Sequence, residues 1–167
     1  MSKKTHPHCI VGIDPGIGRT GYAFLQKDEE GVITPRAYGC IETSTKKTHE
    51  QRFHDIYDTL TALIKKYQPQ AMAMEDIFMN KNQKTIISVG QAQGVLMLAA
   101  ATYHLPVIHL TPPQIKMALT GYGHAEKGQV ERMVMTYLNL ETAPTLDDTS
   151  DAIACALACL YINPSLM

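Results

Sequence analysis

The apolar period of this chain first changes between Thr43 and His49, from a run of strands to a helix, and that change limits what it can fold into. Before it, Cys9–Asp14 is a β-branched apolar run closed by Pro15-Gly16. Thr20–Gln26 then alternates Thr20, Tyr22 and Phe24 with Gly21, Ala23 and Leu25, and Val32–Thr43 follows a polar turn at Asp28–Gly31. Period two over such lengths predicts strands, and connections this short predict an antiparallel meander. After it, Phe53, Ile56, Tyr57, Leu60, Leu63, Ile64 and Tyr67 recur at helical spacing over His49–Tyr67, with Lys65 and Lys66 in the last turn and Pro69 beyond. Gln70–Glu75 and Pro106–Leu110 read as further strands. Lys84–Tyr103, Pro112–Leu119, Glu126–Leu140 and Asp148–Ile162 read as helices. The order predicts an α/β domain: a five-stranded mixed sheet, meander first and parallel strands after, with helices on both faces. Lys84–Tyr103 is apolar or small nearly all round, with Gly90 and Gly94 four apart, so it is expected to have protein on two sides and to be a dimer surface.

At 167 residues the chain suffices for one domain, 1–167. Lys and Arg number 15 against 16 Asp and Glu, and this balance excludes a polycation that holds nucleic acid by bulk charge. Cys155 and Cys159, four apart in an alanine-rich stretch, fall on one buried helix face. With Cys9 and Cys40 they form no Cys-x-x-Cys pair of the kind zinc uses. Apolar runs such as Val95–Ala101 are too short to span a bilayer, and Met1–Pro7 lacks the apolar stretch of a signal peptide. A reduced, cytoplasmic setting is the expectation.

Gly16-Ile17-Gly18-Arg19-Thr20-Gly21 satisfies G-x-G-x-x-G directly after a strand, with Glu42 about twenty residues on. Dinucleotide binding needs a helix N-terminus behind the glycines to receive the pyrophosphate. Here the glycines lead into a strand instead, and Asp14 stands where the phosphate would approach. The motif therefore reads as a strand, a tight turn and a second strand that present Asp14.

Asp14 and Glu75 each close a predicted apolar strand, where a carboxylate is costly unless paired or bound to a cation. Asp148 and Asp151 open the last helix. Alone they resemble an N-cap with an acid three residues on, and Asp147 could take the cap instead. If the first and fourth strands are parallel neighbours, Asp14 and Glu75 emerge at one sheet edge. Asp148 and Asp151, sharing a helix face, could meet them there. Four carboxylates carry −4, which two Mg²⁺ cancel. Such a cluster makes sense chiefly as a hard-cation site, and two ions can activate water for phosphodiester displacement.

From Ile77 through Ala125 there is no Asp or Glu, while Lys81, Lys84 and Lys116 are present and Lys127 lies just beyond. These lysines either solubilise the surface or track a nucleic-acid backbone. Phe78, in the polar segment Asp76–Gln83, either covers the core or stacks on an unpaired base. His124 reads as a surface residue.

Assembled, these segments resemble the RuvC family of Holliday junction resolvases from Ile10 to about Ala158. The matching parts are GIDPG at Gly12–Gly16, TGYA at Thr20–Ala23, ME-x-x-F at Met74–Phe78, GQA at Gly90–Ala92 with GV at Gly94–Val95, AEK-x-QV at Ala125–Val130, and D-x-x-DA at Asp148–Ala152. The resemblance implies an RNase H-like fold, a homodimer, and Mg²⁺-dependent symmetric nicking of four-way DNA junctions beside a branch-migration helicase complex. It assigns two metal ions to Asp14, Glu75, Asp148 and Asp151, with Mn²⁺ as a substitute. Lys127 would stabilise charge on the phosphate, Lys116 would hold the DNA backbone, and Phe78 would engage the junction. Gln93 departs from the pattern, standing where many members have Arg. Rival readings are a related nuclease on RNA–DNA hybrids or other branched DNA, and a non-catalytic junction-binding module. A nucleotide-binding fold of the actin type needs two such domains, more than this chain supplies.

Overall fold

The structure is a computed structural model describing residues 8–76 and 83–163, the side chains of 83–85 excepted. Its strands are β1 (His8–Asp14), β2 (Arg19–Lys27), β3 (Ile33–Glu42), β4 (Ala71–Glu75) and β5 (Val107–Leu110). Its helices are α1 (His49–Tyr67), α2 (Gln83–Thr102), α3 (Pro112–Thr120), α4 (Lys127–Leu138) and α5 (Asp147–Ile162). They form one sheet in the order β3-β2-β1-β4-β5. The meander pairs antiparallel, whereas β1–β4 and β4–β5 are parallel. This is the five-stranded mixed sheet that the order of periodicities predicts, in the RNase H-like arrangement that the family resemblance implies.

Strand alternation splits the core in two. Val11, Ile13, Phe24, Met72 and Met74 pack under α1 and α2, against Ile56, Leu60, Ile64 and Leu96. Ile10, Ala23, Leu25, Ala71 and Ala73 face the other way, toward α3, α4 and α5. On this second face every sheet position beneath α5 near the site is small. A Cβ on Gly12 would lie 2.2 Å from the Ala152 carbonyl oxygen, so only glycine lets the helix backbone rest directly on β1. Sunk in this way, α5 has eleven buried residues, Cys155 and Cys159 among them.

Element ends obey local chemistry. Thr48 caps α1 in a reciprocal box with Gln51, and Gln68 ends it in the left-handed region at φ 48°. Asn139 does the same for α4, so that helix stops at Leu138 rather than at the expected Leu140. The start of α5 also corrects the expectation. Its N-cap is Leu146, without a side-chain cap bond, so neither Asp147 nor Asp148 caps the helix. Both lie in the first turn, where the helix dipole favours them while their carboxylates remain available to other groups.

Candidate active site

The carboxylates of β1 and β4 reach one face by parity. Ile10 and Ala71 face α5, as does Ala73, so Asp14 and Glu75, at the same strand parity, point to that side as well. The parallel register ends at Ile13 opposite Met74, which leaves Asp14 and Glu75 as the next positions on adjacent strands. Gly21 is the strand partner of Asp14, and a Cβ on it would fall 1.8 Å from the Asp148 carbonyl oxygen. The first turn of α5 therefore lies on β2 beside Asp14. Burial raises the pKa of Cys40, and negative charge from Asp148, Glu42 and, more weakly, Asp14 adds to it.

The other two predicted acids share a pocket. Glu75 and Asp151 line a cavity of about 220 Å³ with Lys116 and Lys127, walled by Pro112, Ile115, Val130 and Ala154. Lys127 is the first residue of α4, an unfavourable place for a cation in the helix dipole. It is held there by Asp147 and Asp151, each with an oxygen 3.1 Å from its Nζ. Burial works against the ammonium, but these two carboxylates outweigh it and the Lys127 pKa rises. Burial also raises the Asp151 pKa. Lys127 counters that rise, while Asp147 and Asp148 add to it through like charge.

Asp148 has a different partner. Its Oδ2 lies 3.0 Å from Nε of Arg19, at the start of β2. That oxygen is buried and has no aligned hydrogen bond, so the contact is an ion pair of poor directionality. Asp148 and Asp151 are thus drawn onto separate cations. Among the described residues, no three His, Cys, Asp or Glu side chains are gathered closely enough to hold a metal ion in this arrangement. The donor set nevertheless suits a hard divalent cation: it is all carboxylate oxygen, it is crowded with like charge, and it includes a buried oxygen lacking an aligned donor.

Several contacts were not anticipated from sequence. Arg19 is one; the only hint of it was its place in the glycine turn opposite Asp14. His109 of β5 pairs with Asp76 at 2.8 Å, just past Glu75. Gln93 donates Nε2 to the Glu75 carbonyl at 3.0 Å, so the residue that departs from the family pattern ties α2 to the end of β4. Phe78 and Lys81 lie outside the described residues. Lys84 falls in the first turn of α2, and its side chain is likewise outside them.

A family model described as "Crossover junction endodeoxyribonuclease RuvC" matches residues 10–159. A protein of that name from Syntrophomonas wolfei is 43% identical over 152 residues, covering 91% of this chain and 88% of the relative. Another, from Alkaliphilus metalliredigens, is 46% identical over 148 residues, 89% of this chain and 90% of its own. The solved structure "T. thermophilus RuvC in complex with Holliday junction substrate" superposes with a TM-score of 0.89 at 30% identity, covering 95% of this chain and 96% of that one.

Proposed function

The chain belongs to the RuvC family of crossover junction endodeoxyribonucleases, and on that premise we propose that it resolves four-way (Holliday) junctions by paired symmetric nicks in DNA recombination and repair. The observation that carries this reading is the shared parity of Asp14 and Glu75 on the sheet face that receives the first turn of α5.

In this reading Asp14, Glu75, Asp148 and Asp151 would hold two Mg²⁺ ions, for which Mn²⁺ would substitute. Bound there, the cations supply Lewis-acid activation of a water and neutralise charge on the phosphodiester. The chain's own residues do the rest. Lys127, at the pocket wall, stabilises charge gathering on the scissile phosphate, and Lys116, half-buried across the same pocket, holds the strand's backbone. The close seat of α5 on Gly12 and Gly21 sets the backbone positions of Asp148 and Asp151 before substrate arrives. No Ser or Cys nucleophile is needed: Cys155 is fully buried with its pKa pushed well up by burial, which suits a core thiol. Phe78, Lys81 and Lys84 belong to the DNA-engaging segment.

The unit is a single nuclease domain, 1–167, acting as a homodimer. Support for the dimer comes from α2, where Ile87, Met97 and Leu98 are exposed and Gly94 has open space above it. A two-fold pair of sites suits a two-fold substrate. The helicase complex that drives branch migration is the expected partner and the cytoplasm the expected setting. No helix among the described residues is long and apolar enough to cross a membrane. The test is Asp14→Asn on a synthetic four-way junction, with a fork and an RNA–DNA hybrid alongside, with and without Mg²⁺. Loss of cleavage with junction binding retained is expected. Wild-type cleavage by this variant, or preference for the hybrid, refutes the reading.

A further inference from the structure

The turn between β1 and β2 is braced more heavily than a tight turn requires. Thr20, fully buried, donates its hydroxyl to the Gly16 carbonyl at 2.6 Å. Thr43 donates its hydroxyl to the Ile17 carbonyl and its backbone N–H to the Gly18 carbonyl, the latter at 3.0 Å. Beneath Thr43, buried Arg52 of α1 donates Nε to the Thr43 hydroxyl at 2.8 Å. Three successive carbonyls are therefore each held by a fixed donor. Dinucleotide binding does not account for this turn; its cargo at the surface is Arg19.

The Arg19 side chain is 52% exposed, yet its Nε reaches the buried Oδ2 of Asp148 at 3.0 Å without an aligned hydrogen bond. With its guanidinium half-exposed and no aligned hydrogen bond, this ion pair is worth about fivefold in an equilibrium constant. It yields readily to a divalent ion, which carries twice the charge and takes the same oxygen. A guanidinium so displaced stays on its clamped mount at the rim of the acids. Its planar fork suits two oxygens of a phosphate.

The geometry points to Arg19 as a positioning residue with two alternating partners: the Asp148 carboxylate when no divalent cation is bound, and a DNA backbone phosphate when one is. This rests on reading the four carboxylates as cation ligands. Arg19 thus guards the acids against their mutual repulsion in the free protein, and joins the nucleic-acid surface only in the cation-loaded protein.

The two roles have opposite signs when Arg19 is removed, which a merely structural residue cannot reproduce. In the full chain without DNA, Arg19→Gln binds Mn²⁺ about two- to fivefold more tightly than wild type, read from free Mn²⁺ by electron paramagnetic resonance. Junction affinity is then measured across a salt series in Ca²⁺ and again in EDTA. In Ca²⁺ the Arg19→Gln slope of log K against log salt is shallower by about 0.9, the loss of one phosphate contact. In EDTA it matches wild type, and Arg19→Lys keeps the wild-type slope in both. Unchanged or weaker Mn²⁺ binding by Arg19→Gln, or an unchanged slope in Ca²⁺, overturns the proposal. Asp14→Asn in the same titration loses Mn²⁺. If it binds Mn²⁺ as wild type does, the carboxylate site itself has been misread, whatever Arg19 does.

Discussion

Gly21→Ala separates the positioning of the acids from the stability of the fold. The added Cβ would meet the Asp148 carbonyl oxygen at 1.8 Å, the Asp148 carbonyl carbon at 2.4 Å and the Thr149 nitrogen at 3.2 Å. All three are backbone atoms, so no rotamer change relieves the clash. Ordinary contact begins at 3.4 Å, so the first turn of α5 must rise from β2 by about 1.6 Å. Strand β2 cannot give way instead, because it lies between β1 and β3. Overpacking of this kind costs about 1–3 kcal/mol, partly offset by about 0.4–1 kcal/mol from the stiffer unfolded chain. At roughly 2–4 °C per kcal/mol for a domain of this size, the midpoint falls by several degrees and the protein remains folded at 25 °C. Misplacing catalytic groups by about 1 Å costs on the order of a hundredfold in rate. Single-turnover cleavage of a four-way junction in Mg²⁺ should therefore drop about a hundredfold while urea denaturation at 25 °C still shows a folded protein. If Gly21→Ala is folded and cleaves within about threefold of wild type, the seat of α5 does not set the catalytic geometry.

Two further predictions concern other faces of the molecule. Leu98, 59% exposed on α2, should accept Leu98→Glu without loss of the monomer fold, whereas a like-charge pair across the two-fold of the proposed homodimer should split it. Sedimentation would show half the wild-type mass, and a mass unchanged from wild type counts against α2 as the dimer face. Burial pushes the Cys9 and Cys159 thiols from 9.0 up to about 11. The unfolded chain then loses these protons first, so their contribution to stability is intact below about pH 9 and is lost as the pH climbs toward 11. Denaturation midpoints of wild type and Cys9→Ala should diverge in slope across that window, the variant falling less steeply. Parallel slopes would show that Cys9 titrates alike in both states.

How much was legible in the chain depends on which interactions are local. Strand parity is local, and it carried Asp14 and Glu75 to the same face once β1 and β4 were taken as parallel neighbours. Helix spacing is local too, and His49–Tyr67 stands with the predicted limits because its cap, its apolar stripe and its terminal lysines agree. The start of α5 was harder to read. Three acids in five residues offer several equivalent caps, yet none of them takes the cap. Gly21 admits the helix backbone close against β2, Leu146 takes the cap, and Asp148 and Asp151 pair with Arg19 and Lys127. The same limit hid Arg19 and Gln93, whose partners are more than a dozen residues away and are chosen only by packing. The small residues beneath α5 join the two levels. Gly12, Gly21, Ala71 and Ala73 look like weak strand formers when read singly, yet larger side chains there would lift the helix and part Asp148 and Asp151 from Asp14 and Glu75. Their low β-propensity is the local cost of bringing acids distant in sequence to one edge of the sheet.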